Sequence, residues 1–216
     1  MWCANCKKPC DTRLCSDCKA ALAGISFDQC YELRCEVCGN PIMDHCYPCP
    51  WCTEDLLAYG PYEGVLASLV LRYKSGGELF LAFLLADLFQ HMIVFDDSSV
   101  LVPIPASLEG KRRRGFDQML LVARILSART GAHVVRLFTH HTKGRHALLS
   151  KKARLVKAPL REKRGVKPKD RGYLGECKHV YVLDDIHTTG ATCAFAKAHL
   201  EQTYHASVKI VVLCKA

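Results

Sequence analysis

No apolar run in this sequence is long and uninterrupted enough to span a bilayer. The most apolar stretch, Leu79 to Phe95, carries Asp87, Gln90 and His91, so it reads as a buried helix and not as a membrane span. A secretory leader is also missing from the opening residues. Met1-Trp2-Cys3 runs straight into cysteines, without a basic start or an apolar centre. The expected compartment is therefore the reducing cytoplasm. Half of the residues are hydrophobic and 24% charged, a balance that excludes disorder, collagen and coiled coil. Acidic residues are scarce from Lys111 to Arg171, where 19 Lys and Arg face 3 Asp and Glu. The whole chain is +9, so the rest is net acidic and this one segment supplies the basic character. It reads either as a partner surface for phosphates or nucleic acid, or as a solvated loop. Aromatics are sparse there too, with only Phe116 and Phe138. Binding to such a segment should be electrostatic, salt-sensitive and poorly sequence-specific.

What is abundant is cysteine, and only at one end. Eleven of the 14 cysteines lie in the first 52 residues. They fall into pairs two residues apart: Cys3 and Cys6, Cys15 and Cys18, Cys35 and Cys38, Cys49 and Cys52. That spacing aims two thiolates from one tight turn at a tetrahedral zinc ion. Taken in order, the pairs form two four-thiolate sites, Cys3/Cys6 with Cys15/Cys18 and Cys35/Cys38 with Cys49/Cys52. In the second set Cys46 and His45 remain competing ligands. A disulfide-knotted secreted domain is the other reading of so many cysteines, but it fits poorly without a leader. A module this poor in apolar residues needs metal binding for its folding free energy. The two zinc ions are structural, so chemistry must be sought further along the chain.

After Thr53 the texture changes. Gly60-Pro61 and Gly64 mark a connector, and Val65 to Tyr73 has helical apolar spacing ended by Ser75-Gly76-Gly77. A buried helix follows over Glu78 to Phe95. Val100 to Val102 is a buried strand that runs into Pro103-Ile104-Pro105. Phe116 to Ala128 is helical, with Gly131 closing it, and Val134 to Phe138 reads as a strand. His140 to Gly172 is basic and weakly periodic. A strand over Val180 to Leu183, a helix over Ala191 to Thr203 and a strand over Val208 to Leu213 complete the pattern. Strands alternating with helices predict an α/β fold, a parallel sheet flanked by helices, with ligands bound beyond the carboxyl ends of the strands.

At one such strand end stands Leu183-Asp184-Asp185-Ile186-His187-Thr188-Thr189-Gly190-Ala191-Thr192. Two adjacent carboxylates repel unless hydroxyl donors or a cation lie between them. The small, hydroxyl-rich residues that follow sit where a helix begins, and unpaired backbone N–H groups there cradle an anion. Carboxylates for a ribose beside amides for its 5′-phosphate describe a phosphoribosyl site. A helix cap followed by an ordinary turn is the plainer alternative.

This string resembles the phosphoribosyl-pyrophosphate signature of type I phosphoribosyltransferases. Together with the cysteine pairs, Tyr73 to Gly77, Val102-Pro103-Ile104-Pro105 and Arg114-Gly115-Phe116-Asp117-Gln118, it makes the whole chain resemble the ComF family. Members join an N-terminal zinc-binding segment to a phosphoribosyltransferase domain, which here implies residues 1–55 and 56–216. The family is associated with competence, the handling of single-stranded DNA taken up in natural transformation; some relatives are connected with carbon utilisation. The resemblance implies that Asp184 and Asp185 contact the ribose hydroxyls and that Thr188, Thr189, Gly190, Ala191 and Thr192 hold the 5′-phosphate. Lys74, Arg113, Arg114 and the Pro103–Pro105 turn are candidates for the pyrophosphate side, where fixed cations stabilise a departing pyrophosphate. Magnesium would bridge phosphates and ribose. The Lys111 to Arg114 cluster could equally be a solvated charge run.

Three departures stand out. Asp117 replaces the family's Asn, His187 stands in the phosphate loop, and the family's Gln-x-x-Leu-Ser…Arg-x-x-Asn reads here as His146 to Ser150 and Arg154 to Lys157. The last of these favours ligand binding over turnover. Two functions follow as expectations. One is a protein that binds phosphoribosyl pyrophosphate with magnesium, enzyme or former enzyme. The other is a DNA-binding adaptor that partners a DNA helicase or translocase and retains the sugar-phosphate site in a vestigial or regulatory role.

Overall fold

A computed structural model describes residues 1–30, 33, 35, 52, 55–140 and 160–216. The expected parallel sheet flanked by helices is present, with five strands in the order β1-β7-β6-β2-β3. These strands are β1 (Leu56–Pro61), β2 (Ser99–Pro103), β3 (His133–Val134), β6 (His179–His187) and β7 (Val208–Lys215). A separate ribbon pairs β4 (Phe138–His140) with β5 (Leu160–Glu162) antiparallel. Among the described residues no helix is long and apolar enough to cross a membrane. The chain forms two compact units, Met1–Val94 with Asp184–Thr188 and Ile210–Ala216, and Phe95–Leu183 with Thr189–Lys209.

In the first unit, α1 (Ser16–Gly24) and α2 (Phe27–Cys30) precede β1, and α3 (Gly64–Gly76) and α4 (Leu81–Met92) follow it. Helix α3 buries Leu66, Leu69, Val70 and Tyr73, a stripe at the i, i+3, i+4, i+7 spacing of one helical face. Each fully buried leucine contributes about 1.5–3 kcal/mol. Gly77, in the left-handed region at φ 68°, ends the helix where the Ser75-Gly76-Gly77 stop was expected. Helix α4 is shorter than the apolar run that foretold it, because Gly77 to Phe80 turn before it and Ile93 is extended.

Leu56–Pro61 is a strand and not the expected connector. It pairs in parallel with β7, from Leu56 opposite Ile210 to Pro61 opposite Lys215. Its Gly-Pro ending looks like a loop in sequence. At the end of an edge strand, however, proline costs no ladder bond, and a Cβ on Gly60 would lie 2.5 Å from the Ile25 carbonyl oxygen. The glycine therefore marks a close backbone approach.

In the second unit, β2 is buried throughout and pairs in parallel with β6, Val100 opposite Val180 and Val102 opposite Val182. Helix α6 (Gln118–Thr130) covers β2 with Met119, Val122, Ala123 and Leu126, and Gly131 at φ 79° closes it. The run Val134 to Phe138, expected as one strand, is divided. β3 pairs with β2, the Val135 N–H donates to the Leu101 carbonyl, and the chain then leaves the sheet to form β4. Two helices had no apolar signature. α5 (Leu108–Arg114) is mostly charged, with Ser107 capping it by accepting from the Gly110 N–H. α7 (Pro168–Glu176) buries only Leu174 and starts on a proline, a residue suited to the first helical turn. Helix α8 (Ala191–Tyr204) follows β6 and buries Cys193, Ala196 and Leu200.

Candidate functional site

The first cysteine set is assembled as the spacing requires. The Sγ atoms of Cys3, Cys6, Cys15 and Cys18 all lie within 4.8 Å of one another, and Cys6 and Cys15 are 3.6 Å apart. Tetrahedral zinc with Zn–S bonds near 2.3 Å places its sulfurs roughly 3.8 Å apart, so the set fits the ion. Backbone geometry prepares it. Although burial pushes the Cys3 thiol up, the N–H groups of Cys15, Cys6 and Asn5 donate to its sulfur and hold it down at about 6. The Cys15 N–H lies 3.3 Å from that sulfur, and the Asn5 side-chain amide lies 3.4 Å from Cys18 Sγ. Against that amide's donation, burial and the neighbouring thiolates push Cys18 up to about 12. Four sulfurs this close ionise together only around a cation.

For the second set, Cys35 Sγ lies 3.5 Å from Cys52 Sγ across 17 residues of chain. Cys38 and Cys49, with the competing Cys46 and His45, lie outside the described residues. All eleven described cysteines are free thiols.

The Asp-Asp string occupies the end of β6 and the turn into α8. Strand β6 runs on to His187, past the Val180–Leu183 core read from sequence, because Asp185 and His187 are buried as well as the apolar residues. The Asp185 backbone N–H donates to Asp184 Oδ1 at 2.8 Å, and Asp184 is half-buried. Asp185 is 8% exposed, and both of its carboxylate oxygens lie 2.9 Å from the Lys74 ammonium. These residues belong to the first unit. Lys74, expected on the pyrophosphate side, thus pairs with Asp185, which was expected at the ribose; 111 residues of sequence separate the two. Cys214, also buried, shares the neighbourhood. Its thiol is pushed up to about 12, chiefly by burial and further by the Asp185 charge, with Lys74 opposing.

Beyond His187 the chain turns through Thr188 and Thr189, both exposed, and enters α8 at Ala191. The N-cap is Gly190 at φ 70°, and no side chain caps the helix. Left-handed backbone at that point favours glycine. The start of this 14-residue helix carries the positive end of its dipole, which suits an anion.

The remaining cationic candidates lie on α5 in the second unit. Arg113 is exposed, while the Arg114 guanidinium folds back over Gly110, in the space that a Cβ there would take. Asp117, where the sequence resemblance implies Asn, is paired on the spot. Lys111 Nζ lies 2.6 Å from its carboxylate, and the Ala106 N–H donates to Oδ1 at 3.3 Å. The extra charge therefore ties α5 to the loop after β2. His140 Nε2 lies 2.7 Å from the Pro105 carbonyl in the same region, a contact without any sequence signal. His146, Ser150, Arg154 and Lys157 lie outside the described residues.

No protein-family model matches the chain. Competence protein ComFC of Bacillus subtilis (strain 168) is 28% identical to it, over 95% of this chain and 85% of the relative. Competence protein ComFC of Streptococcus pneumoniae is 26% identical, over 95% of this chain and 89% of the relative. The motif order and these relatives agree, and along nearly its whole length the chain is similar to the ComFC proteins.

Proposed function

We propose that this protein acts in competence, binding phosphoribosyl pyrophosphate with magnesium through the loop Asp184 to Thr192 and holding single-stranded DNA on its basic segment. The names of its relatives support the role in competence. One observation carries the ligand: α8 begins at a left-handed Gly190 that makes no side-chain cap, five residues after Asp185 on the preceding strand. Asp184 and Asp185 would receive the ribose diol, and the amides and hydroxyls of Thr188 to Thr192 the 5′-phosphate. The carboxylate oxygens also suit a hard cation. Asp184 and Asp185 would hold magnesium, which would supply positive charge to the phosphates. Lys74 keeps the paired acids from repelling one another before any ligand arrives. The zinc-bound cysteines staple the N-terminal segment, and Arg113 and Arg114 supply positive charge for the pyrophosphate.

The test is calorimetric titration of the whole protein with phosphoribosyl pyrophosphate and magnesium. Heat of binding is expected, and its loss in Asp184→Ala/Asp185→Ala. No heat with the unmutated protein rejects the ligand.

Among the described residues, Arg112, Arg113, Arg136, Arg161, Lys163, Arg164 and Lys167 are exposed cations of the second unit. They support binding of a single strand through its phosphates, which in turn would suit an adaptor that passes DNA to a translocase. Single-strand affinity should fall steeply with salt. Replacing Lys151, Lys152 and Arg154 with alanine should lower the log–log salt slope by roughly 2, at about 0.7 per lost contact. An unchanged slope removes those three residues from the DNA path.

A further inference from the structure

We propose that Arg72 is a positioning residue: it clamps the Cys3–Cys6 turn to the end of α3, so that the metal state of the first cysteine set governs the Lys74–Asp185 pair. Its guanidinium faces two ways. Toward its own chain segment, Nε and Nη2 donate to Glu78 Oε1 at 2.9 and 2.6 Å, and Nη2 lies 2.5 Å from Oε2. Toward the cysteines, Nη1 donates to the carbonyl of Ala4 and lies 3.4 Å from that of Asn5. Ala4 and Asn5 are the two residues between Cys3 and Cys6. The turn therefore offers its N–H groups to sulfur on one side and its carbonyls to Arg72 on the other. Peptide groups used at both ends polarise one another, so thiolates held around a cation strengthen the grip of Arg72.

The other end of the linkage is two residues away. Tyr73, 1% exposed, fixes the last turns of α3 against the core, and Lys74 reaches Asp185 from the same turn. Gly77 at φ 68° reverses the chain and returns Glu78 to Arg72, and Lys7 adds a 3.8 Å ion pair to the same Glu78. All of these groups belong to the first unit. Arginine suits the position because its planar fork serves a carboxylate and carbonyls at once; lysine has no such fork. Coupling of this kind is reciprocal, so a ligand that engages Asp185 must change how tightly the cysteine set holds its metal.

The experiment is the rate of zinc transfer from the whole protein to a colorimetric chelator, read on the phase that Cys6→Ser abolishes. Arg72→Ala should speed that phase by about 10-fold or more, the scale of lost charge-assisted hydrogen bonds. Asp185→Asn should speed it by a smaller factor. The double variant should be no faster than Arg72→Ala, and Arg72→Lys should not restore the coupling. Effects that multiply independently overturn the proposal, since a residue with a merely structural role speeds zinc loss whatever stands at 185. If Arg72→Ala does not fold, Arg72→Lys takes its place in the cycle with the same expected non-additivity. A second arm rests on the sugar-phosphate reading above. Phosphoribosyl pyrophosphate with magnesium should slow zinc loss in the unmutated protein and not in Arg72→Ala; equal slowing in both overturns the clamp. No calorimetric heat sinks the ligand reading instead, and the mutant cycle then decides the clamp by itself.

Discussion

Stripping zinc from the protein should unfold its first thirty residues and lower its thermal stability by more than any single substitution. The described part of that segment buries little besides Cys3, Ala4, Leu14, Cys18, Leu22 and Phe27. So few apolar side chains cannot offset the backbone entropy of ordering the segment. Structural zinc sites supply about 10–16 kcal/mol of apparent binding energy in small peptides, comparable to the whole stability of an ordinary domain. The loss should also reach α3, because Arg72 holds the Cys3–Cys6 turn and α1 packs on α3. Metal analysis should return two zinc ions per chain, and one in Cys3→Ser/Cys6→Ser. Calorimetric scans with and without chelator check the stability. Zinc-free protein with the same melting midpoint as the untreated protein would show that the sulfurs need no ion.

Gly190→Val should weaken phosphoribosyl pyrophosphate about 100-fold or more while costing little stability. At φ 70° an L side chain is strained by roughly 1–2 kcal/mol. For a chain of this size that shifts the melting midpoint by only a few degrees. Relief of the strain would move the turn away from its left-handed form and turn the first N–H groups of α8 off the phosphate. Two charge-assisted hydrogen bonds lost at about 1.5–3 kcal/mol each give the expected factor. Titration calorimetry and a melting scan on the same preparation separate the two effects. Undiminished affinity would mean that the phosphate does not bind at the start of α8.

Much of this architecture could be read from spacing. Cysteines two residues apart announce a sulfur cluster because one tight turn suffices to build it, and four of them indeed converge. Val100 to Val102 and Val180 to Leu183 were legible as strands because both of their faces are covered, leaving continuous apolar runs. Leu56–Pro61 was hidden for the opposite reason. As an edge strand it tolerates glycine and proline, the residues by which loops are recognised. Helices α5 and α7 carry charge with hardly any buried stripe, so the hydrophobic period that reveals a helix is missing from both. In the candidate site, the Asp184 to Thr192 string was visible since its residues are contiguous. Its link to Lys74 was not, and neither was the service of Arg72 to Ala4 and Asn5 across 68 and 67 residues. Such contacts are made by the fold, and no local pattern records them.

The pairing of β1 with β7 sets an order of assembly. Leu56 lies opposite Ile210, so a nascent chain that has emerged only as far as α7 leaves β1 without that neighbour. The cysteine turns, by contrast, need only local sequence. A ribosome-bound intermediate could therefore close its first four cysteines around a zinc ion long before the sheet acquires its last strand, and an ion held there, with α1 and α3, would keep the early segment compact.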